Sequence, residues 1–293
     1  MERRNLRNGL LFCSPAIFGL LVFTLYPVLS SLYYSFCSYP MLKPPVWIGL
    51  ANYKALFQDP VFYKSLSNTA YYAVFATPLG IITGFILALL LNQKVKGMAI
   101  FRTMFFVPSI VPMVAGSVLW LWLLNPQYGL INGILRIMHL PAPGWMADPA
   151  WSKPALIVMS TWGVGGWMLI YLAGLQDVPQ DLYEAAEIDG ASVLQRVWNV
   201  TIPFMSPHIF FTLVMGFIGA MQYFTQAYVM TGGGGGPVDS TRFFSLYLFQ
   251  NAFQYWKMGY ACAMAWLLFI IILLFTLLLF RSSARYVYYG GEK

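Results

Sequence analysis

Apolar residues in this chain gather into six blocks of about bilayer length, separated by shorter polar stretches. They run approximately 10–34, 68–91, 104–124, 155–175, 207–230 and 258–280. In lipid only a helix satisfies its own backbone hydrogen bonds within a single segment, so runs this long and apolar predict helices. The alternating pattern of a membrane β-strand is absent. Pro15, Pro27, Pro78, Pro108 and Pro112 fall inside blocks, which membrane helices tolerate when neighbours satisfy the freed carbonyls. The expected architecture is an all-α integral membrane protein, one transmembrane domain over 1–293, with both termini on the same side.

Composition sharpens this picture. Of 293 residues, 59% are hydrophobic and 9% charged, where aqueous domains carry about a quarter charged residues. Arg3, Arg4 and Arg7 precede the first block as in a signal peptide, but the apolar run is too long for one and no small-x-small cleavage site follows. An uncleaved first helix is expected. Arg3, Arg4, Arg7, Lys94, Lys96, Arg102, Arg196, Arg281, Arg285 and Lys293 fall on one side. Lys43, Lys54, Lys64, Arg136, Lys153, Arg242 and Lys257 are spread over longer loops on the other. The bias favours cytoplasmic N and C termini. Topology therefore accounts for the net charge of +7, and no basic stripe with interleaved aromatics points to nucleic acid.

The apolar blocks contain no Asp, Glu, Arg or Lys. Intramembrane charges are where secondary transporters couple to ions, so uphill transport by this chain calls for energy delivered from outside the membrane. Cys13, Cys37 and Cys262 are scattered without metal-ligand spacing. His139 and His208 stand alone, and no catalytic motif surrounds them. Neither a catalytic centre, a metal site nor a cofactor is expected. The run Gly232–Gly236 lacks the lysine a phosphate-binding loop needs and is followed by Pro237, so it reads as a flexible turn.

The connection 176–206 collects Asp177, Asp181, Glu184, Glu187 and Asp189. Asp181 to Glu184 has the spacing of a helix-initiating capping box, and Gly190 can end that helix in a left-handed cap. Ser192 to Gln195 offers a second box, opening a short helix to about Val200 before Pro203 stops it. The result is a helix–glycine–helix device whose first helix sets small alanines beside carboxylates. On pattern alone, a solvated connector and a protein-docking element remain equally open.

The residues here resemble a known family. Glu184-Ala185-Ala186, three residues, Gly190, nine residues and Val200-Thr201-Ile202-Pro203 match the signature loop of ABC importer permeases. Val200 and Ile202 stand where that family usually has isoleucine and leucine. The likeness extends toward the sugar-uptake branch through Pro15, Tyr26-Pro27, Tyr33 to Phe36, Gly49 to Tyr53, Asn68-Thr69, Tyr128 to Asn132, Ala173 to Gln176, and Thr231 with its glycines and Pro237.

The resemblance implies a type I ABC importer permease-like fold in a bacterial cell membrane. It implies partners: a second homologous permease chain, two cytoplasmic ATP-binding cassette ATPase subunits and an external solute-binding protein. Glu184, Ala185, Ala186, Asp189, Gly190 and Pro203 would belong to the segment docking on an ATPase, with Glu184 facing a basic residue and Asp189 at the rim or as a cap. A sugar path between helices suits aromatic and uncharged polar side chains. Trp162, Trp167, Gln222, Tyr223 and Gln226 are its candidates, the two glutamines one helical turn apart. The competing readings are a self-sufficient carrier or channel, and a glycerol phosphate permease.

Overall fold

The computed structural model describes residues 2–93 and 95–288, without the side chains of 2–7, 284 and 285. Lys94 and Lys293, and the side chains of Arg3, Arg4, Arg7 and Arg285, all counted in the charge bias, lie outside the described residues. The chain divides into two compact units, Met1–Phe62 with Leu248–Ile271, and Tyr63–Tyr247 with Ile272–Lys293. Among the described residues, four helices are long and apolar enough to cross a membrane, or up to six if each of two bent pairs forms one span.

In the first unit, α1 (Glu2–Leu20) runs through a π-helical turn (Leu21–Leu25) into α2 (Tyr26–Ser35). A two-residue hairpin follows, β1 (Cys37–Ser38) antiparallel to β2 (Val46–Trp47), and then α3 (Ala51–Phe57). Asn52 Nδ2 donates to the Ser35 and Cys37 carbonyls at 2.8 and 2.9 Å, tying α3 to the end of α2. Trp266 Nε1 donates to Ser31 Oγ at 3.1 Å, and the Tyr260 hydroxyl donates to Asp59 Oδ2 at 2.7 Å.

The second unit carries most of α4 (Pro60–Leu91), then α5 (Met98–Ile110), α6 (Met113–Leu123), α7 (Leu130–Ile137), α8 (Pro149–Trp162), α9 (Gly165–Gln176), α10 (Gln180–Ile188) and α11 (Val193–Arg196). A second π-helical turn, Val197–Thr201, leads into α12 (Ile202–Met221), followed by α13 (Thr225–Met230). Then come α14 (Phe244–Phe249) and α15 (Met258–Tyr286). The core lies where α4, α9 and α12 meet, around Ala88, Leu91, Met168, Tyr171, Leu172, Leu175 and Met205. Close approach depends on missing side chains. A Cβ at Gly174 would lie 2.7 Å from the ring of His208, so that histidine packs directly onto the backbone of α9.

Three expected helices differ in shape. The block 104–124 is two helices meeting at 99°, α5 and α6. Val111 is extended (φ −63°, ψ 127°) ahead of Pro112, as a residue before proline prefers, and Pro112 has no N–H to carry the ladder onward. The block 155–175 is α8 and α9, bent by 47° at Gly163 and Val164. The expected 207–230 helix instead starts much earlier: Val193–Met221 is one continuous helical stretch of 29 residues. Pro203 does not stop it, because the wider turn Val197–Thr201 precedes the proline and the ring falls in the first turn of α12, where its missing N–H costs little.

The glycine-rich segment after α13 is anchored by α4 and α8. Asn68 Nδ2 donates to the carbonyls of Asp239 (2.7 Å) and Arg242 (3.1 Å), and its Oδ1 accepts from Lys153 Nζ at 3.0 Å. Thr69 Oγ1 accepts from the Phe244 amide at 2.8 Å, and Ser152 pairs with Ser240 at 2.8 Å. Gly232, Gly233, Gly235 and Gly236 all have positive φ, so this run is a set conformation and not the loose turn that its composition implied.

Asn68 is buried and makes three of these bonds. Asn68→Ala should therefore destabilise the purified chain by about 2–3 kcal/mol, since it leaves buried carbonyls without donors. Thermal unfolding in detergent measures it, and an unchanged melting temperature would show that the segment is held by other contacts.

Candidate functional site

Two features separate from the general packing. The first is the segment α10–α11. Its N-cap is Pro179, extended at ψ 130°, with Val178 buried just before it. Because the helix begins at Gln180, Asp181 lies within its first turn and no side-chain bond caps it, so the expected box from Asp181 to Glu184 does not form. The helix ends as expected: Gly190 has φ +76°, and the Ala191 amide donates to the Ala186 carbonyl at 2.9 Å. Ser192 then caps α11 reciprocally. Its amide donates to Gln195 Oε1 at 2.7 Å and its Oγ accepts from the Gln195 amide at 3.4 Å.

Two cross-links brace the turn. Arg196 pairs with Glu187 at 3.3 Å, and the Tyr183 and Thr201 hydroxyls meet at 3.0 Å. The surface ion pair adds little stability on its own. Together the two links hold α10 against the start of the long helix that becomes α12. Glu184, Ala185, Asp189 and Gly190 are exposed, Ala186 and Pro203 half-buried, and Asp189 is the C-cap of α10. Glu184 has no ion-pair partner among the described residues. Beside these lie apolar side chains that charge pattern alone did not single out. Ile188 is 87% exposed and Trp198 63%, with Val193 and Leu194 also open. The segment thus sets exposed apolar side chains beside its acidic ones.

The second feature is a pair of adjoining cavities in the second unit, of about 340 and 250 Å³. They share a wall of Tyr72, Ser160, Gly163, Tyr223 and Gln226. Tyr72 and Tyr223 stack with ring centroids 4.1 Å apart, and Phe243 meets both edge-on at 5.6 and 5.2 Å, which fixes this wall. The first cavity continues to Thr77, Gly80, Trp167 and Gly216. The six-membered ring of Trp167 fills the space that side chains at Gly80 and Gly216 would need: a Cβ at Gly216 would lie 2.8 Å from it. Trp167 also packs on the α4–α9–α12 core, so it closes this cavity on that side. The second cavity is walled by the α5–α6 break (Pro108, Ser109, Val111, Met113) together with Gly116 and Trp162.

The structure thus brings Trp162, Trp167, Tyr223 and Gln226 to one pair of cavities. Gln222 is not among them. Helix α12 ends at Met221, Gln222 is its exposed C-cap, and Phe224 (φ −138°) breaks the chain before α13. The two glutamines are therefore not on one helix. Tyr72, Thr77 and Ser160 line the cavities without having been singled out. Thr77 had a signal: it precedes Pro78 inside an apolar helix, where a hydroxyl stands out. Its buried Oγ1 has no partner among the described residues. Thr69, Thr83 and Thr212, by contrast, each donate to a carbonyl one turn back.

Comparison with known proteins gives the family and the fold. The sequence profile of the family described as "Binding-protein-dependent transport system inner membrane component" matches residues 76–287. The probable ABC transporter permease protein YesP of Bacillus subtilis (strain 168) is 42% identical over 294 residues, covering 99% of this chain and 95% of that one. The lactose transport system permease protein LacF of Rhizobium radiobacter is 37% identical, covering 94% of each. Among solved structures, a chain of a bacterial alginate ABC transporter, crystallised in complex with an alginate pentasaccharide-bound periplasmic protein, superposes with a TM-score of 0.80. It is 22% identical and covers 97% of each chain, a likeness of fold.

Gly190 carries the turn between α10 and α11. Gly190→Val would force a β-branched residue into the left-handed region, at about 1–2 kcal/mol. Hydrogen exchange should then accelerate in Gln180–Ile188 while α4 and α9 keep their protection. Unchanged exchange in α10 would show that the turn does not depend on this glycine.

Proposed function

This chain belongs to the binding-protein-dependent transport system inner membrane components, and from that premise we propose that it is the membrane permease of an ATP-driven sugar importer. It is a multi-pass membrane protein that admits a saccharide, as an oligosaccharide or related polyol, to the cytoplasm. A separate pair of ATPase subunits hydrolyses ATP, a second permease chain completes the path, and an external solute-binding protein delivers the ligand. In this reading the whole chain is one transmembrane domain and both termini are cytoplasmic.

One observation carries the proposal. The exposed, doubly braced α10–α11 segment is continuous with the helix that walls the first cavity. From Val193 to Gly219 the chain covers about 39 Å at the helical rise. A push on α10 therefore has a stiff path to Met215, Gly216 and Gly219. Glu184, Ala185, Ala186, Asp189 and Gly190 form the face presented to an ATPase groove, with Ile188, Val193, Leu194 and Trp198 adding apolar area that association would bury. Pro203 opens α12 beyond the π-helical turn. Closure of two ATPases on ATP then biases a two-state opening of the path.

The ligand class rests on the cavity walls. Tyr, Trp, Ser, Thr and Gln side chains line them, with no charged residue. Aromatic faces stack on the apolar side of a sugar ring and the polar groups meet its hydroxyls. The phosphate of glycerol phosphate would find no cation there.

Affinity purification of the tagged chain from its host tests the proposal. The expected outcome is recovery of a P-loop ATPase and a second permease in stoichiometric amount. Glu184→Lys should lower ATP-driven saccharide uptake tenfold or more by loss of the ATPase. Solute transport by the chain alone in liposomes would replace the importer reading with a self-sufficient carrier.

A further inference from the structure

We infer that the two cavities are consecutive subsites for one ligand of at least two sugar rings, with Trp167 serving the first ring and Trp162 the second. This rests on the sugar-importer reading and adds the length of the ligand.

The two spaces are unlike in construction but joined. The first lies between α4, α8, α9 and α12, and only it includes Trp167. The second lies at the α5–α6 break, and only it includes Trp162. Their volumes, about 340 and 250 Å³, each leave room for a sugar ring. Each has one tryptophan, the side chain that offers the broadest face to a ring. Trp162 is itself supported, with Trp120 edge-on to it at 6.3 Å.

The shared wall has the composition of a linkage site. Gly163 has no side chain between the two spaces, and a Cβ there would meet nothing nearer than 3.9 Å. Ser160 and Gln226 border both cavities, the Ser160 hydroxyl donating to the Ile157 carbonyl at 2.7 Å and so left to accept from a sugar hydroxyl. These are polar groups placed where a glycosidic oxygen and its flanking hydroxyls would cross. The stacked Tyr72–Tyr223 pair, braced by Phe243, keeps the wall set before a ligand arrives, which reduces the entropy lost on binding. A monosaccharide would leave one tryptophan without a ring. A ligand spanning the shared wall uses both.

Two glycines allow each subsite to be filled separately. Gly219 lines only the first cavity, and a Cβ there meets nothing within 4 Å. Gly116 lines only the second, and a Cβ there comes no closer than 3.6 Å, ordinary contact with Trp162. The complete importer, co-purified with its ATPases, second permease and binding protein, is placed in proteoliposomes. It is given labelled glucose, lactose, maltose, trehalose and alginate di- and trisaccharides. The wild type should take up a disaccharide or longer ligand. Gly219→Leu and Gly116→Leu should each cut that uptake tenfold or more while recovery of the intact complex stays unchanged. Trp162→Ala, which fills nothing, should raise KM about tenfold with kcat less affected, and Trp162→Phe should recover part of the loss.

If Gly219→Leu blocks uptake while Gly116→Leu and Trp162→Ala leave it unchanged, the ligand occupies one subsite and the inference is overturned. If the wild type takes up glucose alone, it is overturned likewise. Unchanged uptake in both leucine variants would remove the cavities from the path while leaving the co-purified ATPase, and so the importer reading, intact. No saccharide uptake by the complete assembly would overturn the sugar reading and the inference with it.

Discussion

The constraint on which this structure depends is the absence of water for backbone groups inside a bilayer. Every N–H and C=O at membrane depth needs a partner, so a helix can be broken only where protein or an aqueous space lies beside the break. Three breaks occur in the second unit: Val111–Pro112 between α5 and α6, Gly163–Val164 between α8 and α9, and Gln222–Phe224 between α12 and α13. Val111, Gly163, Val164 and Tyr223, one or more residues from each break, line the paired cavities. The irregular backbone and the candidate ligand path thus have one cause. Unbroken helices would satisfy themselves and pack closed; the breaks make polar, roomy space and require it.

The same economy governs the other functional segment. No residue of α10 or α11 is buried on the rest of the chain, so their order comes from capping and two polar cross-links. Gly190, the Ser192–Gln195 box, the Tyr183–Thr201 contact and the Arg196–Glu187 pair together set the angle at which α10 leaves the long helix. Such a segment is stiff enough to transmit a push and exposed enough to receive one. In the core below the cavities, Tyr171 is hydrogen-bonded to Thr212, and the ring of His208 lies on Gly174. Both contacts tie α9 to α12, so a movement of α12 carries its neighbour with it.

How much of this could be read from residues depended on whether the signal was local. The apolar blocks, the left-handed glycine at 190 and the reciprocal box at 192–195 involve neighbours within a turn or two, and each was legible. The box from Asp181 does not form because Pro179, two residues earlier, offers a better start: it has no N–H to leave unpaired, and Val178 is buried beside it. Pro203 misled for a related reason. A proline stops a regular helix, but a π-helical turn ahead of it admits the ring, and nothing in single-residue propensity announces that turn. Gln222 was chosen on helical periodicity that the Phe224 break removes. Tyr72 and Ser160 are not legible at all, because what distinguishes them is proximity to residues far away in sequence.

Thr77 shows what such proximity implies about the resting state. A threonine in a membrane helix ordinarily returns its hydroxyl to a carbonyl one turn back, as Thr69, Thr83 and Thr212 do. Thr77 does not, although Pro78 beside it has no N–H to offer the Val74 carbonyl. A buried hydroxyl without a partner costs about 1–3 kcal/mol. Its methyl lies with the Trp167 ring against Gly216, so three helices converge at a point where one of them carries an unmet polar group. Any rearrangement that moves Trp167 from its seat between Gly80 and Gly216 changes what that hydroxyl can reach. The closed end of the first cavity is therefore where the candidate path and the packing of α4, α9 and α12 share a hydroxyl with no partner among the described residues.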